Sequence, residues 1–312
     1  MTISVVPEAF LESPREYSLL PFWFWNDDLC EQELARQMGE FEAHGVHGFV
    51  IHARVGLPRS IGWMSPRMLE LMRFVVEEAA RRDMRVVLYD EGMYPSGSSS
   101  GQVVADDARF ACRGLAALQL PDNAPPTLAA DEKLVAMIRR HDGQTLGIID
   151  RPARSIIRGL HYIGEGPEEE TPPAADILNP DAVACFIRLV YDRYAQELGE
   201  HFGRTIIGVF TDEPGLLGRD PEGGWSPGTV GVPEVESVNG VAPGTTGILE
   251  HVNRILGYDF TPHLPCLWFD DEPEAARRRA EYHRAVGERL AETYYRPLSQ
   301  WAEDHGVALM GH

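Results

Sequence analysis

Ionisable and hydrogen-bonding residues recur in this chain directly after short apolar runs: Asn26 after Trp25, His52 with Arg54, Asp90 with Glu91, Asp212 with Glu213, and His312. In parallel β/α folds the C-terminal ends of the strands share one face, and ligands bind there. Packing alone does not require ionisable groups at successive strand ends. The set therefore reads as the lining of one site.

Glu213 carries the strongest chemical expectation. It follows the buried-strand pattern of Thr205 to Phe210, and Pro214 favours an extended backbone before it. A carboxylate desolvated at a barrel mouth has a raised pKa and can donate a proton near neutral pH, the role of a general acid. A helix cap or a strand-end ion pair is the structural alternative. Asp90 and Glu91 form a second carboxylate pair, followed by Tyr94-Pro95-Ser96-Gly97. One of the two could orient sugar hydroxyls and the other bind a hard cation such as calcium, which takes oxygen ligands; capping of the next helix is the alternative. Two carboxylates across one pocket are the minimal equipment for glycoside cleavage, and their separation decides between inversion and retention. Glu213 and Glu91 are thus the expected catalytic residues. Trp25, Asn26, His52, Arg54, Asp90, Tyr94, Asp212 and His312 are the expected substrate contacts. Arg54 offers a fixed fork of donors. His52 reads as a ligand, a donor or a satisfied buried histidine. Trp25 could stack on a sugar ring, although the run Phe22-Trp23-Phe24-Trp25 is core by default, with the tryptophans on one side and the phenylalanines on the other.

The elements that must position these groups follow from periodicity. Apolar runs at Pro21–Trp25, His47–Ala53, Met84–Tyr89, Thr205–Phe210 and Val307–Met310 alternate with amphipathic stretches at helical spacing. Runs apolar on both faces, separated by helices, predict a parallel sheet of right-handed β/α units. Two closures are open: a doubly wound sheet, or a (β/α)8 TIM-type barrel of which about five strands are present, since a barrel typically needs about 250 residues without insertions. The pattern changes between 115 and 175, where short strand-like pieces with Asp-Gly and Pro-Pro turns predict an inserted antiparallel β-subdomain. The expected organisation is barrel units 1 to 3 over 1–114, the insertion over 115–175 with Glu168-Glu169-Glu170 in its exit linker, and units 4 to 5 over 176–312. A long irregular loop is expected at 215–247, and a long helix from about Pro273 to His305, kinked at Pro297.

Composition narrows the function classes. Lys plus Arg number 28 and Asp plus Glu 48, a formal charge of −20. That field repels nucleic acid and anionic lipid, so neither is an expected partner. No apolar run approaches the roughly 20 residues of a membrane helix. The N-terminus has no signal-peptide pattern, and the scattered Cys30, Cys112, Cys185 and Cys266 read as buried thiols, so a cytoplasmic location is expected. Ser96-Gly97-Ser98-Ser99-Ser100-Gly101 lacks the Lys-Ser/Thr ending of a phosphate-binding loop and reads as a flexible loop, so no nucleotide cofactor is expected. No serine-hydrolase or zincin motif is present.

Several segments together resemble glycoside hydrolase family 106 and the α-L-rhamnosidase-like proteins. They are Pro21–Asn26, Gly48–Leu57, Leu88–Glu91 with Tyr94–Gly97, Asp176–Pro180, Phe210–Pro214, Gly257-Tyr258-Asp259 with Leu264-Pro265, and Gly311-His312. The resemblance implies a (β/α)8 catalytic barrel, hydrolysis of terminal α-L-rhamnosides with inversion, and calcium near the pocket. Thr211-Asp212-Glu213-Pro214 also resembles the Asn-Glu-Pro strand end of many barrel glycosidases, which implies an acid role for Glu213. The second carboxylate of such barrels usually comes from a later strand, so the remainder of the barrel is an implied partner. Two further readings compete: a non-catalytic carbohydrate-binding remnant, and a metal-dependent isomerase or lyase using His52, Asp90, Glu213 and His312.

Overall fold

A computed structural model describes residues 14–92, 94–121, 124–160, 171–217 and 240–312. The Glu168–Glu170 linker and most of the loop expected at 215–247 lie outside the described residues.

Five strands, β1 (Phe22–Trp25), β2 (Gly48–Ala53), β3 (Arg85–Tyr89), β7 (Ile206–Thr211) and β9 (Ala308–Gly311), form one sheet in the order β1-β2-β3-β7-β9. All neighbours are parallel, with Trp25 beside Ala53, Ile51 beside Leu88, Tyr89 beside Phe210 and Thr211 beside Gly311. Within this sheet, chain order and spatial order agree. A doubly wound sheet reverses direction near its middle; these strands progress one way. No closed barrel is formed by the described residues.

The helices between the strands are α1 (Glu31–Ala43), α2 (Pro66–Arg81), the short α3 (Gln102–Asp106), α4 (Pro180–Phe186), α5 (Asp192–Leu198), α6 (Ile248–Leu256), α7 (Ala275–Leu290) and α8 (Arg296–Asp304). Local sequence starts them where capping chemistry allows. Ser65 accepts a hydrogen bond from the Met68 N–H with Pro66 in the first turn, and Asn179 accepts from the Asp181 N–H before α4. A π-helical turn joins α4 to α5 (Ile187–Tyr191), and a second joins α7 to α8 (Ala291–Tyr295). The helix expected from Pro273 to His305 is therefore α7, a π turn and α8, with Pro297 in the first turn of α8, directly after the π turn.

Alternation along the strands sorts their side chains. Trp23, Trp25, Phe49, Ile51, Leu88 and Val209 pack beneath the helices with Leu34, Met38, Met72, Val76 and Leu298. Phe22, Val50, Val87, Tyr89, Phe210 and Met310 form a separate cluster on the opposite face. Edge-to-face rings tie it together, with Phe22 and Phe210 at 5.1 Å and 87°.

The second sheet is antiparallel, in the order β5 (Lys133–Arg139), β6 (Thr145–Pro152), β4 (Arg113–Gln119), β8 (Ala242–Gly244). Leu115, Ala117, Leu146 and Ile148 cover Val252, Phe260, Tyr282 and Val286. Two expectations change. Residues 242–244, read as loop, form β8 and pair with β4, because Val241 and Ala242 are apolar enough to be buried there. Of the strand-like pieces expected up to 175, the described residues from Ser155 to Leu160 form only an isolated bridge between Ile156 and Pro173.

Candidate functional site

At the ends of β3 and β7, polar groups converge. The Ser96 N–H donates to the Asp212 carbonyl at 2.8 Å, and the Ser96 hydroxyl accepts from the Asp212 N–H at 2.8 Å. That hydroxyl also donates to Asp90 at 2.6 Å. Asp90 accepts from Tyr191 at 2.7 Å, Tyr194 donates to the Tyr89 carbonyl at 2.8 Å, and Thr211 and Tyr294 share a hydrogen bond at 2.8 Å. Tyr191 and Tyr294 are the last or next-to-last residues of the two π turns. These turns aim two tyrosine hydroxyls at the strand ends.

Asp90 is fully buried, and desolvation pushes its carboxyl up to about 7 against the pull of Ser96 and Tyr191. It supports the site from beneath and has no exposed surface to offer a ligand. Glu91 is equally enclosed. Its Oε1 accepts from the Gly92 and Ser100 N–H groups, and its Oε2 from Ser98 at 2.8 Å and Ser99 at 2.7 Å. Gly97, Ser99, Ser100 and Gly101 take φ of 119°, 49°, 50° and 84°, which turns successive N–H groups inward as an anion nest. Burial pushes this carboxyl up, and the N–H groups of the nest pull it down. Two N–H groups on each oxygen leave no position for a proton, so the anion is the form this nest holds. The catalytic role expected of Glu91 thus meets a carboxylate occupied by its own loop. The expectation of a flexible Ser96–Gly101 loop is likewise corrected: Ser96, Ser98 and Ser99 are buried.

Glu213, by contrast, is exposed, and among the described residues nothing provides the burial expected around it. Its φ is +45°, left-handed rather than the extended backbone expected before Pro214. Such a conformation costs about 1–3 kcal/mol outside glycine, and it is held where Ser96 pins Asp212. Asp212, Glu213 and His312 bring donor atoms within 4.8 Å of one another. Asp212 accepts from Tyr89 at 2.5 Å and from His312 Nδ1 at 2.9 Å.

The other expected contacts divide. Trp25 is 1% exposed, with its indole N–H unpartnered among the described residues; strand alternation buries it beneath the helices, so it is not offered as a stacking surface. Phe24, missed by sequence reasoning, is the exposed ring at 45%, with the Arg54 guanidinium 4.7 Å above it. The signal for it was the alternation itself. His52 is buried on the same side as Phe24, stacked on Tyr89 at 3.8 Å, and bonded through Nδ1 to the Ala53 carbonyl. Desolvation lowers it to about 4, so it is a neutral imidazole. Asn26 is exposed beyond β1. Tyr94 accepts from Arg158 at 3.2 Å.

Calcium takes six to eight oxygen ligands. The Glu91 oxygens face four N–H groups, an environment for an anion, and Asp90 is taken by two hydroxyls. Asp212 is occupied by Tyr89 and His312, and imidazole nitrogen is foreign to calcium. The described residues do not make a calcium site.

No family model matches the chain, and no curated protein matches it. Among solved structures, the rhamnosidase from Novosphingobium sp. PP1Y is similar, with a TM-score of 0.59 and 12% identity over 97% of this chain. The chain spans 46% of that protein's length, and at this identity the likeness is one of fold: a mixed α/β architecture with one parallel and one antiparallel sheet.

Proposed function

We propose that this chain carries the acid side of a glycoside hydrolase site for terminal sugars of the α-L-rhamnoside type. The observation that carries the proposal is the meeting of exposed Glu213 with Asp212 and His312 at the ends of adjacent parallel strands, on the sheet face that bears Phe24, Tyr89 and Phe210. In this reading Glu213 donates a proton to the glycosidic oxygen as the bond to the anomeric carbon breaks. Phe24 and Arg54 supply an apolar ring face and a donor fork for the sugar. Further strands of a barrel, sharing this face, are the partner the reading requires. They would bring the carboxylate that activates water for inversion, because Glu91 is enclosed.

That enclosure also favours a second reading, in which the face binds carbohydrate without turnover. The test is hydrolysis of an aryl α-L-rhamnoside by the chain, or by a longer protein containing it, with and without Glu213→Gln. A loss of at least a hundredfold, with L-rhamnose binding retained, supports the acid. Full activity in Glu213→Gln removes it. Saturable binding with no hydrolysis in any form supports the second reading.

A further inference from the structure

His312 and Asp212 differ sharply in access: the imidazole side chain is 58% exposed and the carboxylate 11%. They meet through Nδ1 at 2.9 Å. The far oxygen of Asp212 accepts from the Tyr89 hydroxyl. Burial and the adjacent Asp212 carboxylate push that phenol far above its ordinary value, so it remains a donor. Phe210 sets its ring at 90° to the imidazole, 5.1 Å away. A buried carboxylate anchored from behind, an imidazole in front of it and an aromatic wall beside it form an orienting chain of the kind that fixes a histidine tautomer. A carboxylate can only accept, so the neutral imidazole must carry its proton on Nδ1, and Nε2 is left as a bare acceptor.

We propose that Tyr89 and Asp212 hold His312 as a positioning residue whose Nε2 accepts a hydrogen bond from a ligand hydroxyl beside the bond that Glu213 protonates. The inference rests on the sugar reading for its ligand, and on geometry alone for the tautomer. The short spacing bears on the role. Acid and water-activating base in an inverting site stand about 6.5–9.5 Å apart, whereas His312 and Glu213 are within 4.8 Å. His312 therefore sits on the acid's side of the ring, where it reads a hydroxyl and does not activate the opposite-face water. An acceptor flanked by two carboxylates selects a neutral sugar rich in O–H donors and disfavours uronic or phosphorylated ones.

The experiment is nitrogen NMR of the histidine-labelled full chain at about pH 8, where an ordinary histidine is neutral. The expected result is a protonated Nδ1 and a bare Nε2 for His312, with the Nε2 signal moving on titration with L-rhamnose. In Asp212→Asn the amide oxygen faces Tyr89 and the NH2 faces the imidazole. The tautomer should invert to Nε2–H, with rhamnose affinity falling about tenfold, the loss of one hydrogen bond. Tyr89→Phe keeps the carboxylate, which still only accepts, and should leave the Nδ1–H tautomer in place. Nε2–H in the wild type, or no change of tautomer in Asp212→Asn, overturns the inference whatever the sugar assays show. Rhamnose binding that leaves Nε2 undisturbed overturns it as well. The tautomer is measured without sugar, so a failure of the glycosidase reading is seen separately, in the hydrolysis assay.

Discussion

Replacing Glu91 by Gln separates an anchoring role from a catalytic one. The carboxylate accepts four backbone N–H groups inside a fully buried nest. An amide of the same shape keeps one accepting oxygen and turns an NH2 toward two N–H donors. Two donors lose their partner, and each buried unsatisfied donor costs about 1–3 kcal/mol. The expected loss is thus about 2–6 kcal/mol, a large share of a typical stability of about 5–15 kcal/mol. At roughly 2–4 °C per kcal/mol for chains of some 150–250 residues, melting should fall by about 4–24 °C. Thermal and urea denaturation followed by circular dichroism measure it. A Glu91→Gln protein that melts within about 1 °C of the wild type, yet has lost turnover of an aryl glycoside, would refute the reasoning and restore Glu91 as a catalytic group.

Other perturbations follow from the same geometry. Asp176 is buried, bonded to the Thr245 hydroxyl and the Leu178 N–H, and desolvation raises it from 3.8 to about 7. Between those values the folded state keeps a proton that the unfolded chain releases, so stability falls as pH rises, by at most about 1.4 kcal/mol per unit. Asp176→Asn should flatten that slope in urea titrations between about pH 5 and 7; parallel curves would contradict it. Gly97→Ala places a Cβ 2.6 Å from Ile177 Cγ2 at φ +119° and should cost about 1–3 kcal/mol in urea denaturation. Phe24→Ala should leave melting nearly unchanged, because the ring is exposed, and weaken L-rhamnose binding about two- to tenfold by calorimetry.

The parallel strands were legible because each is a short run apolar on both faces, and strand-end polarity picked out Asp212, Glu213 and His312 before any coordinates. What lay outside the sequence is instructive. Glu91 has the same residue type and strand-end position as Glu213, yet four amides from a Ser-rich loop enclose it. Only the φ angles of Gly97–Gly101 reveal that nest, and they do not show in composition. Trp25 and Phe24 are adjacent aromatics; which of them meets solvent depends on which sheet face the helices cover, a tertiary fact. The tyrosines 191 and 294 look like ordinary apolar-stripe residues, and the π turns that aim their hydroxyls inward leave no pattern of period 3.6 to find. Residues 242–244 are too short and proline-bearing to read as a strand, and β4 recruits them by pairing.

The central claim is that Phe24, Arg54, Asp212, Glu213 and His312 line one sugar-binding face. Titration of the labelled chain with L-rhamnose, read residue by residue in amide and side-chain NMR spectra, tests it most directly. Saturable shifts concentrated on those five residues are the predicted result. Shifts confined to the second sheet and the start of α6, or none at all at sugar concentrations that saturate rhamnose-binding proteins, would contradict it.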